Sequence, residues 1–246
     1  FKKADKIVRH EFNLLGFNYF KTKSEFNPSI YDQIDWHYDP SSNSYLDKYT
    51  WYRDVNKELK NNIDVKYPWE LSRFQHLILL GQAYKNSKNE KYAEEFINQT
   101  TDWIRNNKIN YGTNWSCTMD VGIRVSNWLI ALLYFIESPK VGNSFLNRFL
   151  TSIYEHGNHI KNNLENLQTY TSNHYAANIS GLFFISVFIP NGNKKNKWIN
   201  FSKSQLEIEI LNQTNSDGWQ YESSTTYHRL VTEMFLYSYI VGEEFN

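Results

Sequence analysis

A polar run at 171–175, Thr-Ser-Asn-His-Tyr, precedes an apolar stretch with helical spacing. Thr171 or Ser172 can cap such a helix, because their hydroxyls accept hydrogen bonds from the first backbone N–H groups. Asn173 and His174 would then lie where a helix N-terminus favours an anion such as a carboxylate. The run therefore predicts either an anion site built on Asn173 and His174 or an ordinary helix cap with half-buried side chains.

A second polar run, at 221–229, follows an Asp-Gly turn at 217–218 and opens the last predicted helix. Tyr227 is followed by His228 and Arg229, so a phenol stands beside two possible cations. Nearby positive charge lowers the pKa of a phenol and eases proton transfer. Because Tyr227 also falls on the apolar stripe of this helix, the alternative is a buried structural tyrosine.

A third group of polar and aromatic residues lies between 114 and 128. Arg124 can grip a carboxylate or sulfate through two parallel hydrogen bonds, and Trp115 can stack on a sugar ring. In the alternative, Arg124 pairs with Asp120 one helical turn earlier, and Trp128 is a core residue. The pattern does not decide between these two interpretations.

Other site chemistries are not predicted. His156 and His159 share a helix face but have no obvious partner carboxylate in the sequence, so we expect no metal site. The sequence has no glycine-rich phosphate loop, no Gly-X-Ser-X-Gly motif and no Cys-His zinc pattern. We therefore expect no cofactor. Cys117 is the only cysteine, which excludes a disulfide within the chain.

Composition narrows the classes of partner. Aromatic residues make up 17% of the chain, and the flat faces of Tyr and Trp suit sugar rings. The formal net charge is zero, so no overall field attracts nucleic acid or an anionic membrane surface. No apolar run reaches the roughly 18 residues of a transmembrane helix. Neither nucleic-acid binding nor membrane insertion is predicted, and the oligomeric state is left open.

These groups must be positioned by helices, which the spacing of the apolar residues predicts. Residues 1–45 are predicted to be an irregular lead segment with a short helix at 4–14, and 46–246 a helical domain. The predicted helices span 68–84, 91–106, 117–136, 144–168 with a possible break at Gly157, the stretch from the 171–172 cap to Pro190, 195–214 and 223–241. No convincing strand alternation is found. Short loops favour antiparallel neighbours, which fits a bundle and a ring of helical hairpins equally well.

Four ordered segments together resemble the heparinase II/III family. They are 68–74 (Pro-Trp-Glu-Leu-Ser-Arg-Phe), 112–115 with 119–124, 171–175, and 217–218 with 221–229. The resemblance implies an all-α fold, an incomplete (α/α) toroid of antiparallel helical hairpins. In the family, a C-terminal β-sandwich part follows, which we expect to be absent from this chain. It also implies a periplasmic or secreted bacterial protein.

The resemblance further implies a lyase that cleaves a uronic-acid-containing polysaccharide by β-elimination. In the family, an Asn-His pair neutralises the uronate carboxylate, and a tyrosine protonates the leaving oxygen. These positions correspond to Asn173, His174 and Tyr227. The family usually completes its site with a His or Tyr from the β-rich part, so we expect little or no turnover from this chain alone.

The resemblance assigns further residues to substrate binding. His228 and Arg229 would tune Tyr227 or bind substrate. Four others would line or brace the groove: Glu70, Arg73, Trp115 and Arg124. The acidic polysaccharide would be heparan-like, alginate-like or a bacterial surface polysaccharide. The alternatives are a uronate C5-epimerase, a non-catalytic glycan-binding or assembly protein, and a purely structural helical module.

Overall fold

The computed structural model describes residues 1–21, 31–58, 63–166 and 170–245, and most of these are helical. The helices are α1 (Lys2–Val8), α2 (Val55–Glu58), α3 (Lys66–Ser72), α4 (Leu77–Ser87), α5 (Lys91–Asn106), α6 (Thr118–Phe135), α7 (Asn143–Asn162), α8 (Asn173–Phe188), α9 (Asn193–Asn212) and α10 (Thr225–Phe245). The strands are β1 (Glu11–Leu14), β2 (Phe17–Lys21), β3 (Tyr38–Asp39) and β4 (Ser44–Tyr45), in two antiparallel hairpins. The predicted predominance of helix is confirmed.

The chain forms two compact units. The first unit contains Phe1–Cys117 and Ile130–Ser152, and the second contains Thr118–Leu129 and Ile153–Asn246. The predicted division between residues 45 and 46 stays a prediction. Among the described helices, none combines the length and hydropathy required to cross a membrane.

In the first unit, α4 and α5 pack as a helical hairpin joined by a short loop. The bounds of α5 are those predicted from its period. Tyr92, Phe96 and Trp103 recur on one face and are all buried. The Phe96 ring stacks on Phe135 with centroids 4.8 Å apart. An apolar stripe at intervals of three and four therefore forms a helix by burying that stripe in an aromatic core.

The prediction of a single helix over 68–84 is wrong, because the structure has two helices there, α3 and α4, separated by residues 73–76. Phe74 adopts a left-handed backbone with φ of 58°, and its side chain is fully buried. Its ring lies 4.9 Å from that of Trp36. A left-handed non-glycine residue costs on the order of 1–3 kcal/mol, which burial of a phenyl side chain offsets by a similar amount.

The lead segment also differs from the prediction. The helix expected at 4–14 ends at Val8, and β1 and β2 follow as a hairpin. Leu15 and Gly16, at the tip, both have positive φ, 51° and 86°. Two consecutive left-handed residues form the type I′ turn that matches strand twist. Such a turn carried by Leu-Gly is a weaker sequence signal than Asn-Gly, which is why the hairpin was missed.

In the second unit, α8 is the central helix and α9 and α10 pack against it. The side chains of α8 are buried on every face between positions 175 and 186, as expected for a helix that is apolar all round. The α10 stripe of Val231, Met234, Ser238 and Val241 is buried. The hydroxyls of Ser180 and Ser238 hydrogen-bond at 2.8 Å. The N-terminus of α8 is thus held by a packed framework.

The first half of α6 approaches α8 so closely that only glycine fits. A Cβ atom at Gly122 would lie 2.3 Å from the carbonyl oxygen of Ala177. A Cβ atom at Gly181 would lie 2.6 Å from the Cα atom of Gly122. Both positions are too close for any side chain, so the two backbones contact each other directly.

Gly122→Ala is expected to lower the free energy of unfolding by about 1–3 kcal/mol, because the added methyl group displaces a backbone that cannot move locally. Urea denaturation measures this change. Gly142→Ala is the matched control, since a Cβ atom there would have no heavy atom within 4 Å. Equal stability of the two variants would show that the α6–α8 approach is not as close as described.

The predicted helix over 144–168 is observed as α7, which ends at Asn162 without a break at Gly157. A Cβ atom at Gly157 would lie 2.5 Å from the Trp198 ring. This glycine therefore makes room for an indole ring and does not interrupt the helix. Residues 167–168 of the predicted span lie outside the described residues.

Candidate functional site

The N-terminus of α8 is capped as predicted. Ser172 has an extended backbone and its hydroxyl accepts a hydrogen bond from the His174 N–H at 3.3 Å. Thr171 instead donates its hydroxyl proton to the carboxylate of Glu209, and its carbonyl accepts from the Tyr221 hydroxyl. These bonds attach the start of α8 to the end of α9 and to the loop that precedes α10.

Asn173 is held by the carboxylate of Glu222. Its backbone N–H donates to Glu222 Oε1 at 2.9 Å. Its side-chain Nδ2 lies 3.0 Å from Oε1 and 2.9 Å from Oε2 of the same residue. Asn173 is only 4% exposed, so this contact determines the plane of the amide. This helix end was predicted to favour a carboxylate, and the carboxylate that binds there in the structure is that of Glu222.

His174 is paired with Glu165. Its Nδ1 lies 3.0 Å from Glu165 Oε1, and Asn178 Nδ2 donates to Glu165 Oε2 at 3.0 Å. The hydrogen bond with Glu165 raises the pKa of His174 against the opposing effect of burial. Burial raises the pKa of Glu165, but the bonds from His174 and Asn178 outweigh it and leave that pKa below its ordinary value. Both shifts favour an imidazolium–carboxylate pair.

Glu165→Gln is expected to lower the pKa of His174, because a neutral amide does not stabilise imidazolium as a carboxylate does. The pair stabilises the fold most between the ordinary pKa values of the two groups, 4.5 and 6.5. This stabilisation is lost as pH rises through the raised pKa of His174, and as pH falls through the lowered pKa of Glu165. An NMR titration of the His174 ring protons measures the shift.

The control for that titration is His76 in the same sample, whose pKa is lowered to about 4 by burial and should not change on Glu165→Gln. An unchanged pKa of His174 in the variant would contradict the ion pair.

Tyr227 lies at the start of α10 and is 42% exposed. It stands one helical turn before Val231, on the stripe that is buried farther along the helix. The alternative of a buried structural tyrosine is therefore wrong, since its ring is accessible to solvent. The same helix end carries a phenol that a solvent-borne ligand can reach.

His228, predicted as a possible cation beside Tyr227, packs against the loop that precedes α10. Its ring stacks on Trp219 with centroids 4.3 Å apart and planes 7° from parallel. The backbone N–H of Gln220 donates to His228 Nδ1 at 3.3 Å. That nitrogen is the acceptor of this bond. His228 thus anchors the loop between α9 and α10.

Arg229 is the most exposed of the predicted site residues. Its side chain is 78% exposed and lies 3.9 Å from the carboxylate of Glu233, one turn farther along α10. An exposed pair at this distance contributes little to stability. Its predicted part in substrate binding stays a prediction.

Two predicted binding residues are buried. Arg124 is 0% exposed, and its Nε donates to His156 Nε2 at 3.0 Å within the second unit. Trp115 is 1% exposed, and in the first unit its indole N–H donates to the Asn107 carbonyl at 3.3 Å. Direct contact of either side chain with a substrate is therefore not supported, because neither presents a surface to solvent. Both brace the core of their own unit.

Glu70 and Arg73 form an ion pair in the first unit, with 2.5 Å between Glu70 Oε2 and Arg73 Nη1. Both side chains are partly buried. These two residues were predicted to line or brace a groove, and their charged groups are bonded to each other. Bracing agrees with this geometry, and a contact with substrate stays a prediction.

Sequence reasoning missed three residues at this site. Glu222 and Glu165 orient Asn173 and His174, and Trp219, at 38% exposure, presents an aromatic face on the adjoining loop. Glu222 lies within the 221–229 run, but nothing in that run indicates which side chain it holds. Glu165 stands eight residues before Asn173 and carries no local signal, because its contact with His174 depends on how the chain folds back.

Comparison with known proteins identifies the family of this chain. The sequence profile described as "Heparinase II/III N-terminus" matches residues 2–245. Heparin-sulfate lyase of Pedobacter heparinus is 26% identical over 192 residues, covering 76% of this chain and 28% of that protein. Heparin-sulfate lyase of Bacteroides thetaiotaomicron is 27% identical over 235 residues, covering 92% of this chain and 30% of that protein.

Solved structures show the same fold. The heparan sulfate lyase HepC of Pedobacter heparinus superposes with a TM-score of 0.69 at 24% identity, and a heparinase III structure with 0.72 at 23%. Each comparison covers 98% of this chain and 34% of the other. The chain thus spans about a third of the length of these relatives, and the predicted fold class is confirmed. Since the profile match extends over almost the entire sequence, the chain belongs to the heparinase II/III family and corresponds to its N-terminal helical domain.

Proposed function

We propose that this chain is the helical part of a polysaccharide lyase that cleaves a uronic-acid-containing chain by β-elimination. The observation that carries the proposal is the start of α8, where Glu222 orients the Asn173 amide and Glu165 favours the protonated form of His174. Heparin-sulfate lyases among the relatives support the same class of substrate. The activity belongs to the full-length protein.

The difficult step in this reaction is the removal of the C5 proton of the uronate. Its removal places negative charge on an enolate-like carboxylate that is already charged, so that charge must be neutralised. An amide N–H and an imidazolium are suitable donors. The Asn173 amide nitrogen lies within 3.0 Å of both Glu222 carboxylate oxygens. We assign the amide hydrogen that is not bonded to Glu222 to the substrate carboxylate. We assign the protonated His174 to the same carboxylate.

Tyr227 supplies the proton for the leaving group in this proposal. As the C5–H bond breaks and its proton passes to a base, the C4–C5 double bond forms and the bond from C4 to the glycosidic oxygen breaks. The Tyr227 hydroxyl protonates that oxygen, which leaves as the new hydroxyl end of the chain. Trp219 offers a flat face on which a neighbouring sugar can stack.

The test is to incubate the full-length protein with a panel of uronate polysaccharides, including heparan sulfate and alginate. A lyase produces shorter chains with ultraviolet-absorbing unsaturated ends. An epimerase changes the sugar composition at constant chain length, and a binding protein changes neither. Either of the last two outcomes would refute the lyase proposal.

A further inference from the structure

The two carboxylates that hold Asn173 and His174 are themselves held by buried side-chain amides, whose role the function proposed above leaves open. Glu165 lies after the end of α7 and Glu222 lies before the start of α10, so neither belongs to a helix or a strand. Both side chains are partly exposed. A partly exposed glutamate has many rotamers, and holding it in one of them costs entropy. Additional contacts must therefore keep each carboxylate in place.

Asn178 holds Glu165 at two points. Its side-chain oxygen accepts a hydrogen bond from the Glu165 backbone N–H at 2.8 Å, and its Nδ2 donates to Glu165 Oε2 at 3.0 Å. The other carboxylate oxygen, Oε1, lies 3.0 Å from His174 Nδ1. Asn178 is 0% exposed and lies on α8, about one helical turn after His174. One amide thus fixes both the backbone and the carboxylate of Glu165 relative to the helix that carries His174.

Gln220 holds Glu222 in the same way. Its side-chain oxygen accepts from the Glu222 backbone N–H at 2.9 Å, and its Nε2 donates to Glu222 Oε1 at 3.2 Å. Gln220 is 3% exposed. Its own backbone N–H donates to Nδ1 of His228, on the helix that carries Tyr227. The contact between Asn173 and Glu222 is therefore connected to α10 through Gln220.

An amide suits this task because it is neutral. The hydrogen bond with Glu165 raises the pKa of His174 against the opposing effect of burial, and the charges of Asp120 and Glu222 add to that increase. A lysine or arginine at position 178 would also hold the carboxylate, but its positive charge would oppose protonation of His174. Hydrogen bonds from an amide favour the ionised carboxylate without adding charge. The carboxylates therefore keep their full effect on His174.

We propose that Asn178 and Gln220 are positioning residues, neutral amides that hold two carboxylates against the Asn-His pair assigned above to the substrate, without cancelling their charge. The proposal rests on the function proposed above for Asn173 and His174. The contacts that carry it lie entirely in the second unit, and they can be measured without substrate. Neither amide touches the substrate, and each acts through the carboxylate that it holds. Such supporting contacts keep catalytic groups within a fraction of an ångström of their working geometry.

The first measurement is an NMR titration of histidine-labelled full-length protein without substrate. Asn178→Ala should lower the pKa of His174 toward its ordinary value of 6.5, because the Glu165 carboxylate can then turn away. The basic limb of the pH profile of turnover should move to lower pH in parallel, since His174 acts in its protonated form. Gln205→Ala is the matched control. Gln205 is a partly buried amide that accepts from the Tyr175 hydroxyl, so its loss should leave both readouts unchanged.

The second measurement is the turnover of full-length Gln220→Ala on its uronate polysaccharide. Turnover should fall about 10–100-fold, because a misplacement of about 1 Å can cost on the order of 10²-fold. KM should change less, since Asn173 acts mainly on charge that develops in the transition state. Without substrate, the side-chain amide signals of Asn173 should shift in the same variant. If Asn178→Ala fails to fold, Asn178→Ser is titrated in its place, because its shorter side chain cannot reach both groups of Glu165.

Three results would overturn the proposal: a wild-type pKa of His174 in the Asn178 variant, wild-type turnover or unshifted Asn173 amide signals in Gln220→Ala, or changes of the same size in Gln205→Ala. The last result would show a general loss of structure. Failure of the lyase proposal looks different, because no unsaturated products would form while both NMR changes would remain.

Discussion

Tyr227→Phe is expected to lower the turnover number of the full-length protein on its uronate polysaccharide by about 10²–10⁴-fold, the usual range for loss of a general acid. Phenylalanine keeps the ring at the start of α10 but has no proton to give to the leaving oxygen. KM is expected to change little, because the hydroxyl acts as the bond breaks. The free energy of unfolding should change by less than about 0.5 kcal/mol, since the ring is half-exposed.

Tyr237→Phe is the matched control, because Tyr237 lies on the same helix and is 46% exposed. Its turnover number should equal that of the wild type. Equal activity of Tyr227→Phe and Tyr237→Phe would remove Tyr227 from the mechanism. A rise in KM at constant turnover number would reassign it to substrate binding.

Asn173→Asp is expected to lower the free energy of unfolding by about 2–3 kcal/mol at neutral pH, because it places a second carboxylate against Glu222 in a buried position. In the wild type, the amide nitrogen lies within 3.0 Å of both oxygens of Glu222. Two facing carboxylates cannot both ionise without cost, so one pKa must rise. Urea denaturation at several pH values measures the effect.

The sign of the pH dependence follows from that raised pKa. The folded variant binds a proton that the unfolded chain releases, so the deficit relative to wild type should shrink as pH falls through the raised pKa. The double variant Asn173→Asp with Glu222→Gln restores a donor opposite an acceptor and should recover most of the stability at neutral pH. A double variant no more stable than Asn173→Asp would contradict the contact between positions 173 and 222.

The local sequence pattern was sufficient to predict a helix and its ends where that helix buries one face. The bounds of α5 follow from apolar residues at helical intervals, and the Ser172 cap follows from a hydroxyl directly before an apolar run. Both signals act within one or two helical turns, so no distant contact is required to interpret them.

Local pattern failed where a distant contact outweighs the period. The break at Phe74 depends on an aromatic cluster that includes Trp36, which is far away in the sequence. Burial of Arg124 and Trp115 depends on which helices surround them. The sequence shows that such side chains can bind a carboxylate or a sugar, but only packing determines whether they face solvent.

From the sequence alone came the helical class, the family, and Asn173, His174 and Tyr227 as the residues to examine, because residue type and order along the chain carry that information. Only the tertiary structure identified Glu222 and Glu165 as the carboxylates that hold Asn173 and His174, and showed that His228 anchors a loop. The physical reason is that hydrogen bonds and pKa shifts depend on distances of about 3 Å between groups. Those distances exist only after α8, α9 and α10 have packed together.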